Sequence, residues 1–500
     1  MVRHPTLYQL NSRVLLAELG RKLGRRASLD DLPDAMIEQA ATRGFEWIWP
    51  LGVWQTGAAA REISRTRPSL RESYAHDLPD WRDDDVVGSP FAIQAYDVNR
   101  DFGGDGALAR LRQSLARRQL KLLLDFVPNH VAPDHPWVHE HPEYFIEGTE
   151  QDLAEEPQNW GRFQTARGPH ILAFGRDPYF PGWPDTIQLN YRHGGLREAM
   201  MVELGRVADR CDGVRCDMAM LVQPEIFLRT WGKRAVPRDG SPPQDQPFWN
   251  DVIARIKRRK PDFAFMAEVY WDMEWELQQA GFTFTYDKRL YDRLLKRQAR
   301  PVREHLMATP EFQERSARFM ENHDEPRAAA AFHPPSMHMA SAVVTYFVPG
   351  LRFFHEGQLE GRKAHVSMHL GRRTVEEPDA EVMAFYERLL AVLRRLEVHE
   401  GSWRNLAARI AWDGNPTWDN FIAGLWEMGA TRLLTVVNFG ETQGQCYLPL
   451  NVQGIVGRKV ILTDLLGGAR YERDGTTLAS KGLYLDLPPW GRHAFALQLE

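Results

Sequence analysis

DGVRCDMAM, residues 212–220, reads as a strand with an arginine and an aspartate two positions apart in an otherwise apolar run. Side chains at i and i+2 lie on the same face of a strand, so Arg215 and Asp217 should point the same way. Two readings explain such a pair: a structural ion pair buried in the core, or a functional site at the end of the strand.

Seven further apolar stretches accompany this one along the first three quarters of the chain, and amphipathic helical patterns separate many of them. They are TLYQLNSRVLL (6–16), FEWIWPL (45–51), LKLLLDFV (120–127), DFAFMAEVY (262–270), GFTFTYD (281–287), SARFMEN (316–322) and LRFFHEG (351–357). Continuous apolar strands joined by helices indicate a parallel sheet that is buried on both faces. Eight such repeats predict an α/β fold of the (β/α)8 TIM-barrel type.

Two segments do not follow this alternation of strands and helices, and they predict additional domains. After the third strand a segment of about sixty residues is rich in Pro, Trp, Asp and Gly, and insertions of that length are usually functional. From about residue 403 the helical pattern gives way to alternating strands, which favours an antiparallel β-sandwich. We therefore assign the barrel to residues 1–130 and 191–402, an inserted domain to 131–190, and a C-terminal β domain to 403–500.

The composition and charge of the chain limit the partners and the cellular compartment that we expect for this protein. The chain is 43% hydrophobic and 26% charged, with a net charge of −5 and no long basic run, so nucleic acid is not an expected partner. The sequence contains no run of about eighteen apolar residues, so we expect no membrane span. Three cysteines, Cys211, Cys216 and Cys446, fit neither a disulfide framework nor a zinc site, and we expect a cytoplasmic protein. The sequence does not specify an oligomeric state.

Charged and polar side chains recur where the predicted strands end. In barrel enzymes, reactive groups lie at the carboxyl ends of the strands and in the loops that follow. One such residue would mean little, because a lone acid is as often a helix cap, but four strands share the feature. The residues are Asp125, Asn129 and His130, then Arg215 and Asp217, then Glu268, then His323 and Asp324.

These four stretches resemble the four signature regions of the α-amylase family, glycoside hydrolase family 13. The matching patterns are D-x-x-x-N-H from Asp125, G-x-R-x-D from Gly213, the region centred on Glu268, and N-H-D from Asn322. The resemblance extends over essentially the whole chain, including the insertion and the C-terminal β domain. It implies a retaining glycosidase mechanism, which requires two carboxyl groups about 5–5.5 Å apart.

The resemblance also implies a role for each acid. Asp217 matches the nucleophile, and we expect Arg215 to keep its pKa low so that it is ionised. Glu268 matches the acid/base catalyst, which needs a raised pKa. Asp324 matches the third acid, which binds sugar hydroxyls, and Asp125 is expected to orient Arg215.

Further site residues follow from the same resemblance. His130 and His323 match histidines that bond the sugar in the cleavage subsite. Phe91 matches the position of an aromatic residue that stacks on the substrate ring, and Tyr96 is the alternative for that role.

Two features depart from the family pattern. Many α-amylases place Lys-His three and four residues beyond the nucleophile to bind sugars on the leaving-group side. Here Met220 and Leu221 occupy those positions, which predicts an apolar acceptor side with weak sugar binding. Asn129 and Asp185 match positions that sometimes bind calcium, but two oxygens fall short of the six to eight that calcium takes. We expect no cofactor, with calcium as the alternative.

The sequence thus predicts a retaining α-glycosidase that hydrolyses α-glucosidic bonds of malto-oligosaccharides or related α-glucans. A transglycosylase or isomerase, of the glucanotransferase or trehalose-synthase type, is the alternative, because it uses the same covalent intermediate. A third hypothesis, a glycan-binding protein without activity, is disfavoured by the complete set of acids at Asp217, Glu268 and Asp324.

Overall fold

The computed structural model describes residues 3–500, so Met1 and Val2, which the sequence analysis assigns to the barrel domain, lie outside the described residues. Eight parallel strands close into a barrel, and their spatial order follows the chain, with the first strand paired to the last. The strands are β1 (Thr6–Asn11), β2 (Trp47–Leu51), β3 (Lys121–Phe126), β4 (Gly213–Cys216), β5 (Ala264–Ala267), β6 (Phe284–Tyr286), β7 (Ser316–Arg318) and β8 (Leu351–His355). All eight fall within the predicted stretches, which confirms the predicted fold class.

The first predicted stretch is only half strand. β1 ends at Asn11, whose side chain accepts a hydrogen bond from the backbone N–H of Val14 and so caps a helix that begins at Ser12. Asparagine at this position satisfies an N–H group that the first turn of a helix leaves without a partner. The prediction of strand through residue 16 is therefore wrong in its second half.

Helices surround the barrel and cover its apolar strands. Between β1 and β3 they are Ser12–Leu23, Asp34–Thr42, Ala58–Thr66, Pro68–Asp77 and Gly104–Ala116. Between β3 and β6, outside the long connection after β3, they are Gly194–Arg210, Pro224–Trp231, Phe248–Arg259 and Glu274–Gln279. From β6 onward they are Lys288–Leu295, Ala299–His305, Pro310–Glu314, Ala328–Ala331, Pro335–Tyr346, Ala380–Leu393 and Leu396–Glu400.

The long connection after β3 leaves the barrel and returns to the same place. Its first strand, His130–Val131, pairs antiparallel with Ile187–Gln188 near its end. Between them lie the helices Pro136–Glu140 and Glu150–Glu155 and a hairpin of strands Trp160–Thr165 and Gly168–Ala173. A second short antiparallel pair, Trp54–Thr56 with Ile93–Val98, lies between β2 and β3. Because its first and last strands pair with each other just after β3, the long connection lies over the carboxyl-terminal rim of the barrel.

Two antiparallel sheets follow the barrel. The larger sheet contains Ser402–Leu406, Phe421–Met428, Thr431–Asn438, Arg492–Leu499, Lys459–Asp464 and Arg470–Asp474 in that spatial order. The smaller sheet contains Arg409–Ile410, Gly444–Leu448 and Leu483–Leu487, and a helix, Gly475–Lys481, precedes its last strand. Apolar side chains from both sheets form one separate core, as in a β-sandwich. Within residues 3–500, no helix combines the length and apolar character needed to cross a bilayer.

Candidate active site

Arg215 joins two of the predicted catalytic acids at the carboxyl end of the barrel. Its Nη1 lies 2.5 Å from Asp217 Oδ1, and its Nη2 lies 2.8 Å from Glu268 Oε2. The guanidinium is almost completely buried, as are both acids, with 4% exposure for Asp217 and 3% for Glu268. One arginine therefore holds both carboxyl groups side by side.

Backbone contacts fix this arrangement. β4 ends at Cys216, and the next residue, Asp217, donates its N–H to Phe126 O at 2.9 Å. Met218 then adopts the left-handed region, with φ of 40°, and its N–H donates to Glu268 Oε2 at 2.8 Å. A positive φ at a bulky residue is strained, and strain of this kind concentrates at functional sites. Here the positive φ of Met218 turns its backbone N–H toward Glu268, the predicted acid/base catalyst.

The pKa of Asp217 differs from the prediction. Burial raises it above the ordinary range for an aspartate, while the charge and hydrogen bond of Arg215 lower it by less. The expectation that Arg215 alone keeps the pKa of Asp217 low is therefore wrong in its net direction. A single buried cation serves more than one acid, so it cannot fully offset their desolvation.

Glu268 has a raised pKa, as an acid catalyst requires. Burial is the largest cause and the negative charge of Asp217 adds to it, whereas Arg215, the N–H of Met218 and the hydroxyl of Tyr270 act in the opposite direction. Tyr270 donates its hydroxyl to Glu268 Oε1 at 2.9 Å. The sequence analysis did not single out Tyr270, although its position two residues after Glu268 was available as a signal.

We expect Tyr270→Phe to move the alkaline limb of the kcat/KM profile to higher pH. The hydroxyl stabilises the ionised form of Glu268, so its removal raises the pKa of that acid. The matched control is Tyr74→Phe, which removes a buried hydroxyl that donates to Ser64 O and makes no hydrogen bond to Asp217, Glu268 or Asp324. An alkaline limb that stays in place, or moves to lower pH, would show that Tyr270 does not tune Glu268.

Asp324 lies beside the pair at the mouth of the site. Desolvation, the charge of Glu268 and the charge of Asp217 raise the pKa of Asp324 to about 8, although Arg215 opposes them. The side chain retains 29% of its surface, so solvent screening reduces the cost of ionising it. Three carboxyl groups thus share one compact site with one guanidinium, and protonation of any one favours ionisation of the others.

Asp324→Asn should stabilise the protein increasingly as pH rises. Below the ordinary aspartate pKa of about 3.9 the wild-type group is protonated in both folded and unfolded chains. Between that value and about 8, the folded chain retains a proton that the unfolded chain releases, so wild-type stability declines through this window. The gain in Tm of the variant should grow from pH 5 to pH 8 in calorimetric scans, and a gain independent of pH would contradict the shift.

A buried glutamine orients the histidine next to Asp324. Gln9 Nε2 lies 3.0 Å from His323 Nδ1, and Gln9 Oε1 lies 2.8 Å from His355 Nδ1. If the amide donates to His323, that ring carries its proton on Nε2, which lies 3.1 Å from Asp324 Oδ2. Burial lowers the pKa of His323 well below its ordinary value, so the ring is neutral. The sequence analysis missed Gln9, which comes from the opposite end of the chain.

His130 and Phe91 complete one side of the site. Burial lowers the pKa of the His130 ring to about 4, and the charge of nearby Glu268 opposes that shift. The Phe91 ring lies 5.0 Å from the Arg215 guanidinium carbon and 5.3 Å from the His323 ring. Both predicted residues therefore lie with the acids.

Tyr96 lies in the core and not at the substrate face. Its hydroxyl accepts from the N–H of Val127 and donates to Val127 O, while its ring packs against Trp54 and Phe126. Of the two aromatic residues predicted for substrate stacking, Phe91 is the one beside Arg215.

Asp125 does not contact Arg215 by hydrogen bonding. Its Oδ1 accepts from Trp49 Nε1 at 3.1 Å, and its Oδ2 accepts from Gly52 N at 2.9 Å. The two residues are paired across β3 and β4, so the charge of Arg215 still lowers the pKa of Asp125, but burial outweighs it and raises that pKa to about 6. The prediction that Asp125 orients Arg215 is corrected: Asp125 holds the end of β2 against β3.

Met220 and Leu221 do not form an acceptor surface. They lie in a short 3-10 helix, Ala219–Val222, and their exposed fractions are 0% and 3%. Both pack into the apolar core below the loop, so the prediction of an apolar acceptor side built from them is wrong. Tyr179 of the inserted segment is exposed, and its ring centroid lies 5.0 Å from that of Trp271, which is partly buried.

The residues that match family calcium positions do not form a cation site. Asn129 Oδ1 accepts from Gln188 Nε2 at 3.0 Å, and Asp185 Oδ2 lies 3.8 Å from His369 Nε2. Among residues 3–500, no group of three or more His, Cys, Asp or Glu side chains is arranged to hold a metal. The donors present therefore do not fit calcium.

The catalytic-domain model of the α-amylase family matches residues 91–371, which is more than half of the chain. The chain belongs to the α-amylase family. In this α-amylase-family chain, the matched residues include β4, β5 and β7, which lie just before the three acids, and the whole inserted segment.

Curated members of the family match this α-amylase-family chain at low identity. The α-amylase MalA of Haloarcula japonica is 24% identical over 276 residues, which are 54% of this chain and 36% of the relative. An α-1,4-glucan:maltose-1-phosphate maltosyltransferase of Burkholderia pseudomallei is 26% identical over 211 residues, which are 40% of this chain and 15% of the relative. The chain thus spans about a third or less of the length of these two relatives.

Solved structures share the fold over the full chain. The maltogenic α-amylase AmyB of Thermotoga neapolitana superposes with a TM-score of 0.70 at 19% identity, covering 100% of this chain and 99% of that one. The α-amylase of Geobacillus thermoleovorans, solved with acarbose, superposes with a TM-score of 0.64 at 16% identity, covering 99% and 98%. At these identities the likeness establishes the common architecture alone.

Proposed function

We propose that this chain is a retaining α-glycosidase that hydrolyses α-glucosidic bonds of malto-oligosaccharides or related α-glucans. The observation that carries the proposal is the contact of Arg215 with both Asp217 and Glu268. Carboxyl groups held on one guanidinium fit the short separation of retaining enzymes, about 5–5.5 Å. Inverting enzymes hold their two carboxyl groups about 6.5–9.5 Å apart, which leaves room for water.

In the first step, Glu268 donates a proton to the glycosidic oxygen while Asp217 attacks the anomeric carbon. The leaving sugar departs with the proton, and the glycosyl group is bound to Asp217 as an ester. The raised pKa of Glu268 supports its role as the acid. When Asp217 is consumed as an ester its negative charge disappears, so the ionised form of Glu268 becomes more favourable for the second step.

In the second step, ionised Glu268 takes a proton from water, and that water displaces Asp217 from the anomeric carbon. Two inversions give overall retention. Asp324, His130 and His323 lie around the pair, where their polar atoms are available to sugar hydroxyls, and the ring of Phe91 offers an apolar face. α-Glucans are the proposed substrates because the named relatives are α-amylases and maltosyltransferases acting on α-1,4-glucan.

Transfer of the glycosyl group to a second sugar is the alternative function. The maltosyltransferase relatives favour it, since several of them match between 37% and 40% of the chain. Both functions require the same glycosyl–Asp217 ester.

Product analysis separates the alternatives. The protein is incubated with maltose, maltotetraose, trehalose, sucrose and glycogen, with Asp217→Asn as the blank, and products are resolved by chromatography. Hydrolysis predicts shorter malto-oligosaccharides released first as the α anomer, which proton NMR records before mutarotation. Longer or isomeric products would identify a transferase, and unchanged substrates throughout would contradict an enzyme acting on these glucans.

A further inference from the structure

A large cavity lies apart from the catalytic acids, on the flank of the barrel beside the connections that follow β1 and β2. Its volume is about 1140 Å³, and none of Asp217, Glu268 or Asp324 lines it. Residues of the helix Ser12–Leu23, the turn after it and the helix Ala58–Thr66 form its walls. Six arginines line this cavity: Arg13, Arg21, Arg25, Arg26, Arg61 and Arg65.

Five acids line the same cavity, and two of them form close ion pairs with arginines. Asp101 binds Arg26, and Asp85 binds Arg372, which lies outside the cavity lining. Arg25 binds Asp31, also outside the lining. The remaining lining acids are Glu62, Asp84 and Asp134.

Arg13 is buried without an acid at ion-pair distance among residues 3–500. Its guanidinium donates to two neutral acceptors, Gly88 O and, at 3.2 Å, Thr56 Oγ1, and its exposed fraction is 7%. Burial and then the charge of Arg61 lower the pKa of Arg13 to about 10. The guanidinium groups of Arg13 and Arg61 therefore lie close together in a partly desolvated environment.

Arg61 and Arg65 extend this cationic corner along one helix. Arg61 donates Nε to Val86 O at 3.0 Å, and burial followed by the charge of Arg65 lowers its pKa. Arg65 has a buried Nε that makes no hydrogen bond to residues 3–500, and its nearest acid, Asp84, is fully exposed at 3.9 Å. The three residues Arg13, Arg61 and Arg65 form what we call the arginine corner.

The nearby acids do not neutralise the arginine corner. Asp134 Oδ2 accepts at 3.1 Å from Ala59 N, in the first turn of the helix Ala58–Thr66, and its Oδ1 is buried with no hydrogen-bond partner among residues 3–500. Glu62 points to solvent, as does Asp84. Desolvating a guanidinium without an anion is costly, and an anion that enters the cavity would relieve that cost for three cations at once.

We propose that the arginine corner binds a phosphoryl group carried by a small polar molecule. Phosphate is the anion that several guanidinium groups bind best, because its oxygens accept paired N–H bonds and it carries up to two charges. The cavity is far larger than one phosphate ion, and its size is that of sites for small metabolites. A phosphosugar matches both features: its phosphate contacts Arg61 and Arg65, and its hydroxyl groups occupy the remaining space.

Calorimetric titration tests this site without relying on turnover. The probes are glucose 6-phosphate, inorganic phosphate, acetate and glucose, each at constant ionic strength. The test variants are Arg61→Gln and Arg65→Gln, and the control is Arg258→Gln, an exposed arginine on the distant helix Phe248–Arg259. Unliganded Tm values of all variants verify that each one is folded.

Wild type and the Arg258 variant should bind glucose 6-phosphate saturably, and each corner variant should bind it at least about tenfold more weakly. Inorganic phosphate should bind more weakly than glucose 6-phosphate, and glucose and acetate should not bind measurably. Equal affinity in all four proteins, or acetate binding as tightly as phosphate, would overturn the proposal. Failure of the proposed glycosidase activity would leave this outcome unchanged, because the difference in binding between wild type and the Arg61 and Arg65 variants does not depend on turnover.

Discussion

Asp217→Asn should lower kcat by roughly a factor of 10⁴ or more, the largest effect expected of any single substitution in this chain. The asparagine amide keeps the shape of the carboxylate and one acceptor for Arg215, but it cannot form the glycosyl ester. Such a loss corresponds to at least about 5 kcal/mol of barrier. Initial rates on maltotetraose, with enzyme at high concentration, give the ratio.

The same variant should fold and bind oligosaccharide nearly as the wild type does. Circular dichroism and Tm report the fold, and calorimetric titration with maltotetraose reports binding. A variant that retains more than a few per cent of activity would show that another group attacks the anomeric carbon. Because the Asn side chain deamidates slowly, mass spectrometry of the purified variant must accompany the rates.

Glu268→Gln should lower kcat on malto-oligosaccharides by about 10²- to 10⁴-fold, the second largest effect. The loss depends on the leaving group, because Glu268 supplies a proton that poor leaving groups need and good ones do not. A dinitrophenyl α-glucoside should therefore form the ester with Asp217 at close to the wild-type rate and release it slowly. Pre-steady-state absorbance should show a burst of dinitrophenol followed by a slow phase.

Azide should accelerate that slow phase in the Glu268 variant, because it attacks the ester without the help of a base. The product should be the α-glycosyl azide, with retained configuration, which NMR coupling constants establish. The β azide would instead mark Glu268 as the nucleophile and reverse the two roles. Wild-type enzyme is the control, since ionised Glu268 competes against azide by activating water and repels the anion.

The barrel was predictable because its strands are buried on both faces and therefore appear as continuous apolar runs. All eight strands lie inside the predicted stretches, including the four-residue β4. The error at β1 arose from Asn11, whose capping bond to Val14 starts a helix in the middle of an apolar run. An apolar run alone does not distinguish a strand from a buried helix. Here a single capping residue, Asn11, decides where the strand ends and the helix begins.

The clustering of the acids was also predictable, because residues at the carboxyl ends of parallel strands converge. Arg215, Asp217 and Glu268 were expected together and are hydrogen bonded. Gln9 was not predicted, since β1 meets β8 and β7 only when the barrel closes, and no local pattern pairs it with His323.

Burial and backbone strain explain the remaining differences. The pKa of Asp217 depends on how much protein surrounds the Arg215 pair, which sequence spacing does not report. Met220 could be placed near Asp217 but not assigned to the core, because the 3-10 helix turns it inward. Met218 and Trp271 have positive φ although neither is glycine or asparagine, so no residue type marked the two turns that shape the site.

Trapping the glycosyl ester tests the central claim most directly. A glucosyl fluoride that also carries fluorine on the sugar ring forms the ester and releases it slowly, because ring fluorine destabilises both transition states and the reactive fluoride leaving group compensates only in the first step. Intact-mass and peptide mass spectrometry should find one added glycosyl group per chain, attached to Asp217, and none on the Asp217→Asn variant. A glycosyl group on Glu268 or Asp324, or turnover with inversion and no adduct, would contradict the assignment of Asp217 as the nucleophile held by Arg215.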